Sequence, residues 1–232
     1  MAVMPNRFQQ WRIALRVTRR LLRSSDPELA RWLRSFDGKR SPLDDESAWV
    51  TCGALRWLDQ NLHKDMRVYE YGSGGSTLFF ARRVGAVVSV EHDQPWHQMV
   101  QQRLREKAIN NCACTLHVPV AGHDLPYAPG SFATTDDQWG GYSFESYVRS
   151  IESEPDASFD LVLVDGRSRT SCLMAALPKV KRGGWLMLDN SERAEYQDGI
   201  ARIPHTQRVD FYGPGPYNTY MWTTSAFRIG QV

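Results

Sequence analysis

Val68-Tyr69-Glu70-Tyr71-Gly72-Ser73-Gly74-Gly75-Ser76-Thr77 decides how this chain is read. Val68 to Tyr71 is short and β-prone, a glycine-rich turn follows, and Thr77-Leu78-Phe79-Phe80-Ala81-Arg82-Arg83 reads as a helix. A strand, a tight glycine turn and a helix N-terminus make a corner suited to anions and nucleotides. Glycine lets the backbone approach a ligand, and the free N–H groups of the first helical turn point at it. A lone glycine turn can equally serve close helix packing, so the reading leans on what surrounds it. Glu70 stands two residues before the first glycine. About twenty residues on, Val87-Val88-Ser89-Val90-Glu91 is a second strand ending in an acid, and a carboxylate there can accept both hydroxyls of a ribose. Phe159-Asp160-Leu161-Val162-Leu163-Val164-Asp165 is another strand with an acid at its carboxyl end.

At these residues the chain resembles the class I S-adenosylmethionine-dependent methyltransferases. Their first motif has the form acid-x-Gly-x-Gly-x-Gly, and Glu70-Tyr71-Gly72-Ser73-Gly74-Gly75-Ser76 matches it except that Ser76 replaces the last glycine. The resemblance spans roughly residues 45 to 228. Within the class, the chain is most similar to small-molecule O-methyltransferases of the catechol O-methyltransferase type. These carry an Asp after the fourth strand and an Asp-Asn after the fifth. The resemblance implies a Rossmann-like α/β sandwich: a mostly parallel seven-stranded sheet with an antiparallel last strand, plus N-terminal helices. It implies S-adenosylmethionine as methyl donor and a small-molecule acceptor methylated on a hydroxyl oxygen. The implied cofactor residues are Glu70, Gly72, Ser73, Gly74, Ser76, Thr77, Glu91, His92, Ala121 and Asp165. Glu70 would help hold the methionine ammonium and Glu91 the ribose.

Composition sets the bounds. The chain has 232 residues, 42% hydrophobic and 23% charged, as in an ordinary globular domain. A formal net charge of +2 carries no global nucleic-acid signature, so nucleic acid is not the expected partner. Cys52, Cys112, Cys114 and Cys172 lack CxxC spacing and read as reduced thiols of a cytoplasmic protein. No apolar run approaches ~18 residues, so no membrane span is expected.

The charge is uneven. Residues 1–40 hold ten basic residues against three acids, while the rest of the chain is net acidic. Phe8, Trp11, Leu15, Thr18 and Leu22 recur at helical spacing with arginines between them. Residues 6–23 are therefore either a surface helix for an anionic membrane, a nucleic acid or a protein partner, or a helix packed on the main domain with a solvated basic face. The first 25 residues also lack acids, as organellar presequences do. A division follows: residues 1–43 as a basic helical extension, residues 44–232 as the cofactor-binding domain. Helices are expected from Asp26 to Phe36 and from Asp44 to Leu62.

From Met66 onward strands and helices alternate, which argues for a parallel sheet covered on both faces. Ligands of such sheets bind at the carboxyl ends of the strands. That rule puts Gly72–Thr77, Glu91, Val120–His123, Asp165 and Asp189 on one rim. Residues Leu125 to Tyr142 interrupt the alternation with prolines, glycines and aromatics and read as a lid or acceptor-binding insertion. Val209 to Tyr212 and Tyr220 to Thr224 form the last strands, and the turn Gly213 to Asn218 between them is expected to frame the acceptor.

Methyl transfer is a displacement at an activated carbon, so it asks chiefly for in-line positioning and exclusion of water. A hydroxyl acceptor gains from a base or a metal. Asp165, Arg167 and His92 are the catalytic candidates. His92 and His123 both fall on the rim. Asp165, Asp189 and Asn190 are hard oxygen ligands at neighbouring strand ends, and the resemblance implies Mg²⁺ there. Arg167 and Arg169 stand where the related family carries a lysine base. The alternative is that Asp165 pairs with an arginine, Asp189 caps the next helix, and no metal binds. Two rivals differ in class: a nicotinamide-dependent Rossmann dehydrogenase, and a non-catalytic cofactor-binding adaptor acting through its basic N-terminus.

Overall fold

The computed structural model describes residues 40–122 and 130–230, and before them Arg12, Leu15, Thr18, Arg19, Trp32 and Ser35. Its elements in chain order are α1 (Cys52–Asn61), β1 (Arg67–Tyr71), α2 (Gly75–Arg83), β2 (Ala86–Glu91), α3 (Gln94–Glu106) and β3 (Cys112–Leu116). Then come β4 (Val120–Ala121), β5 (Tyr142–Ser143), α4 (Glu145–Arg149), β6 (Phe159–Val164), α5 (Arg169–Ala176), β7 (Val180–Asp189), α6 (Gln197–Ala201), β8 (His205–Pro214) and β9 (Met221–Ile229). Seven strands form one sheet in the order β3-β2-β1-β6-β7-β9-β8, while β4 and β5 pair separately. All neighbours are parallel up to β7, and β9 runs antiparallel between β7 and β8. The expected sheet is thus present. Its antiparallel strand sets it apart from the parallel dinucleotide-binding sheet.

β1 and β6 are the central strands and are buried almost throughout, as expected for parallel strands covered on both faces. Alternation along β1 sends Tyr69 and Tyr71 to one core, with Phe144, Tyr147 and Phe159, and Val68 to the other, with Phe79, Phe80 and Leu58. Each fully buried aromatic or aliphatic side chain contributes about 1.5–3 kcal/mol by leaving water. Register then fixes the rim. Tyr71 pairs with Val90 and with Val164, so Gly72, Glu91 and Asp165 stand side by side at the strand ends. Val164 pairs with Leu188, which brings Asp189 beside Asp165.

Several local expectations need correction. The helix expected over Asp44–Leu62 begins only at Cys52: residues 42–46 are a turn, Glu46 takes a positive φ of 48°, and Thr51 caps the helix by accepting from Ala54 N. Thr51 also bonds Phe211 O and Thr224 Oγ1, which ties the start of α1 to the last two strands. The third strand ends at Leu116, so Val120, expected on the rim at a strand end, belongs to β4 instead. The helix expected after Asp189-Asn190 is a short 3-10 turn, Ala194–Tyr196, continued by α6.

Near the N-terminus, Arg12, Leu15, Thr18 and Arg19 are helical, and Leu15, expected on the apolar face, is 49% exposed. Trp32 is helical and buried, and its Nε1 donates to Asn218 O at 3.1 Å. The rest of the two expected N-terminal helices, and His123, lie outside the described residues. Leu43 packs with Leu78, Val100 and Leu104. Among the described residues no helix is long and apolar enough to cross a membrane.

Candidate active site

The glycine turn builds the site. Gly72 has φ +98°, and a Cβ there would lie 3.0 Å from the Gly166 Cα, so the ends of β1 and β6 meet backbone to backbone. Gly75 opens α2 against the segment before α1, where a Cβ would stand 2.1 Å from Pro42 O. Thr77 Oγ1 accepts from Gly74 N at 2.9 Å and donates to Glu70 Oε1, which fixes the turn on the strand beneath it. The result is a cavity of about 520 Å³ over the ends of β1, β2 and β6. Gly72, Ser73, Gly74, Ser76, Glu91, His92, Asp165 and Arg167 all line it.

Glu70, Thr77 and Ala121 do not reach that wall. Glu70 is fully buried: its Oε1 accepts from Ser89 Oγ at 2.8 Å and from Thr77, and its Oε2 has no hydrogen-bond partner among the described residues. Burial, only partly offset by those hydroxyls, pushes its carboxyl pKa up to about 7. Ala121 lies in the exposed β4, which pairs with β5 in a sheet separate from the main one.

Glu91 sits in the wall, but its carboxylate is already clasped by its own chain. Oε2 accepts from Ser73 N at 3.0 Å and Ser73 Oγ at 2.9 Å, and Oε1 from His92 N at 2.8 Å and Asp93 N at 3.0 Å. Burial opposes ionisation, yet the donors from His92 and Asp93 outweigh it and hold the carboxyl below its ordinary range. Glu91 therefore locks the glycine turn to the turn that starts α3. His92 Nδ1 lies 2.9 Å from Glu91 Oε1 but off the line of a hydrogen bond. The His92 ring packs edge-on against Trp139 with centroids 5.2 Å apart, and also contacts Phe144 and Tyr147.

Sequence spacing alone missed Trp96, Met99, Gln138 and Trp49 in this wall. Trp96 carried a faint signal. It stands three residues after Asp93, whose side chain caps α3 through Trp96 N at 2.8 Å, and its Nε1 donates to Ser73 O at 2.7 Å. Gln138 and Trp139 come from the aromatic insertion. Ser168 and Ser171 pin that insertion by donating to Ala133 O and Ser131 O, each at 2.6 Å, and Arg167 pairs with Asp136 at 3.2 Å.

A second cavity, of about 240 Å³, adjoins the first. It is lined by Arg169, Asp189, Asn190, Asn218, Tyr220 and Trp222, together with Trp49, Asp165 and Arg167, which also line the larger one. The turn between β8 and β9 does frame it. The expected metal set Asp165, Asp189 and Asn190 is here, but a protein cation serves it instead. The buried Arg169 guanidinium donates to Asp189 O at 2.6 Å, to Asn190 Oδ1 at 3.4 Å and to Asp165 O at 3.2 Å, and pairs with Asp165 Oδ1 at 3.1 Å. Asp189 does not cap a helix. Its Oδ1 accepts from Trp222 Nε1 at 2.8 Å and Thr224 Oγ1 at 2.5 Å. Burial and the nearby Asp165 charge push its carboxyl up to about 7. Asp165 is also raised, by burial, against the pull of Arg169. Among the described residues no three His, Cys, Asp or Glu side chains are grouped to hold a metal. The donor set fits a guanidinium, not Mg²⁺.

No family model matches this chain, and no curated protein does. Solved structures do. A methyltransferase-like protein from Silicibacter pomeroyi is 24% identical over 78% of this chain and 86% of its own, with a TM-score of 0.50. A putative methyltransferase from Streptococcus mutans, solved in complex with SAH, is 11% identical over 75% of this chain and 94% of its own, with a TM-score of 0.50. A putative rRNA-methylase from Clostridium thermocellum is 10% identical over 80% of this chain and 99% of its own, with a TM-score of 0.53. This last likeness means that the fold does not disfavour nucleic acid as a partner. At these identities the likeness carries the architecture alone: the chain has the class I methyltransferase fold.

Proposed function

We propose that this protein is an S-adenosylmethionine-dependent methyltransferase acting on a hydroxyl of a small-molecule acceptor. The observation that supports it is the pair of cavities joined at Trp49, Asp165 and Arg167. A group transfer between two substrates needs two sites that meet at one wall. The larger cavity fits the donor. Its glycine cradle at Gly72 and Gly74 leaves backbone open to a ligand. The buried Nε of Arg167, in its wall, lacks a hydrogen-bond partner among the described residues, and so does Oε2 of Glu70 beneath the turn.

Bound there, S-adenosylmethionine would supply a sulfonium-activated methyl group. The chain's own residues orient and enclose. Ser73, Gly74 and Ser76 line the turn, Glu91 keeps that turn shaped, and Trp96, His92 and Trp139 wall off water. Asp165 is the carboxylate common to both cavities, and Arg169 fixes it. It is positioned to take the proton of an acceptor hydroxyl. Arg169 also fills the place where related enzymes use a metal, so no metal is part of this reading. The test is transfer of labelled methyl from S-adenosylmethionine to a panel of hydroxylated small molecules, with transfer RNA and ribosomal RNA as further acceptors. Labelling of a small molecule supports the reading, and labelling of RNA alone would contradict it.

A further inference from the structure

The turn between β8 and β9 supplies Asn218 and Tyr220 to the smaller cavity, and its backbone is strained. Tyr217 takes a positive φ of 66°, which a bulky side chain adopts only where its surroundings impose it. Gly215 runs so close to Trp222 and to Val50 O that a Cβ there would stand 2.1 Å and 2.7 Å from them. The rest of the turn is held from far back in the chain. Trp32, 2% exposed, donates from Nε1 to Asn218 O at 3.1 Å. Ser35 is also buried, and its Oγ accepts from the N–H of the strained Tyr217 at 2.9 Å. Ser35 Oγ donates in turn to Trp32 O at 2.6 Å, so the two residues form one clamp.

Asn218 carries that hold into the cavity. With its amide turned to suit its neighbours, the side-chain oxygen accepts from Trp49 Nε1 and from Tyr220 Oη, each at 3.1 Å, and the nitrogen donates to Tyr217 O at 3.3 Å. Trp49 and Tyr220 line the smaller cavity and are 44% and 41% exposed, so they are aromatic surface open to a ligand. One amide oxygen joins both, and the backbone of that same residue is fixed by Trp32. Plain packing at residue 32 would ask for an apolar ring alone. Here the indole N–H is spent on the residue that links the two exposed aromatics, and the Ser35 hydroxyl on the residue that bears the strain.

Taking the smaller cavity as the acceptor's site, we infer that Trp32 and Ser35 are positioning residues of that site: they hold the β8–β9 turn so that Asn218 keeps Trp49 and Tyr220 in its wall. The segment before residue 43 is then part of the acceptor site and not a separable extension.

Full-length Trp32→Phe, which keeps a buried ring without the N–H, tests this beside Ser35→Ala and the hydroxyl-keeping Ser35→Thr. Hydrogen exchange read by mass spectrometry over residues 215–222 should quicken about 2- to 10-fold in Trp32→Phe and Ser35→Ala, as expected for one lost hydrogen bond, and stay near the parent in Ser35→Thr. Hydroxyl-radical footprinting should show Trp49 and Tyr220 oxidised faster in the same two variants. In the labelled-methyl assay the KM for the acceptor should rise more than the KM for S-adenosylmethionine. Parent rates of exchange and oxidation in Trp32→Phe would overturn the inference. So would faster exchange spread evenly over the sheet, because Trp32 would then be a core anchor only, or an unmoved acceptor KM in a variant whose turn has loosened. A parent that transfers no methyl group, with the turn still loosened in both variants, would uphold the clamp and refute the proposed function of the cavity it serves.

Discussion

Replacing Glu70 by glutamine should stabilise the protein in alkaline solution and leave it unchanged in acid. Glu70 is fully buried and lacks a donor for Oε2 among the described residues. Its pKa in the folded chain is about 7, against an ordinary 4.5. A tenfold difference in proton affinity between the folded and unfolded chain is worth about 1.4 kcal/mol, so the ionised carboxylate costs the fold about 3 kcal/mol at pH 8. The folded pKa lies above the unfolded one. The folded state therefore holds the proton more tightly, and this stabilisation is complete below pH 4.5 and gone once the pH has passed about 7. Glutamine keeps an oxygen for Thr77 and Ser89 and carries no charge at any pH. Glu70→Gln should exceed the parent by about 1–3 kcal/mol at pH 8, the lower figure allowing for an imperfectly placed amide N–H. For a chain of this length that is a rise in Tm of about 2–10 °C. Asp189 titrates in the same range and is common to both proteins, and the Glu70 charge also raises Asp165, so the difference reports Glu70 together with that coupling. Urea unfolding followed by tryptophan fluorescence at pH 5 and pH 8 measures it. A variant that is less stable at pH 8, or that shows the parent's pH dependence, would refute the buried-acid reasoning.

Three further substitutions probe the frame. Gly75→Ala places a Cβ against Pro42 O and Ser47 O and should cost about 1–3 kcal/mol, read by chemical unfolding; an unchanged midpoint would mean that this segment yields freely. Arg169→Met takes the cation from the half-buried Asp165 and the donor from Asp189 O and should cost about 1–3 kcal/mol, with loss of activity that added Mg²⁺ does not restore; rescue by Mg²⁺ would revive the metal reading. Glu91→Ala strips the acceptor from the N–H groups of Ser73, His92 and Asp93, so both stability and S-adenosylhomocysteine affinity should fall, affinity by about tenfold or more. Lost affinity with intact stability would make Glu91 a ribose ligand and not a clasp.

The sheet was legible because its strands announce themselves. Val68–Tyr71 and Phe159–Val164 are mostly apolar runs, broken only by Glu70 and Asp160, that lead into a glycine or an acid, and the interior of a parallel sheet needs such runs. The site was legible where function follows chain direction: Gly72–Ser76, Glu91 and Asp165 lie at strand ends, and register alone brings them together. The misreadings have physical causes. Ser47 to Val50 has apolar residues that suit a helix, but Thr51 bonds strands far away in sequence and so starts the helix late. Asp165, Asp189 and Asn190 suit a metal as well as a guanidinium; Arg169 decides between them because the bend at 166–168, with Ser168 at a positive φ of 48°, turns the first residue of α5 back onto Asp165. Trp49 and Trp222 meet in one wall from opposite ends of the chain, and no spacing rule connects them.

The central claim is that the larger cavity binds the adenosyl donor through the glycine turn. Gly74 offers the sharpest probe, because its backbone is extended and a Cβ there would make only ordinary contact, 3.6 Å from Trp96. A larger side chain at Gly74 should fill the cavity without disturbing the fold. Calorimetric titration of the parent with S-adenosylhomocysteine should give one site per chain, NAD should give no heat of binding, and Gly74→Leu should lose the site while keeping its thermal midpoint. Binding of NAD in place of S-adenosylhomocysteine, or undiminished S-adenosylhomocysteine affinity in Gly74→Leu, would contradict the account.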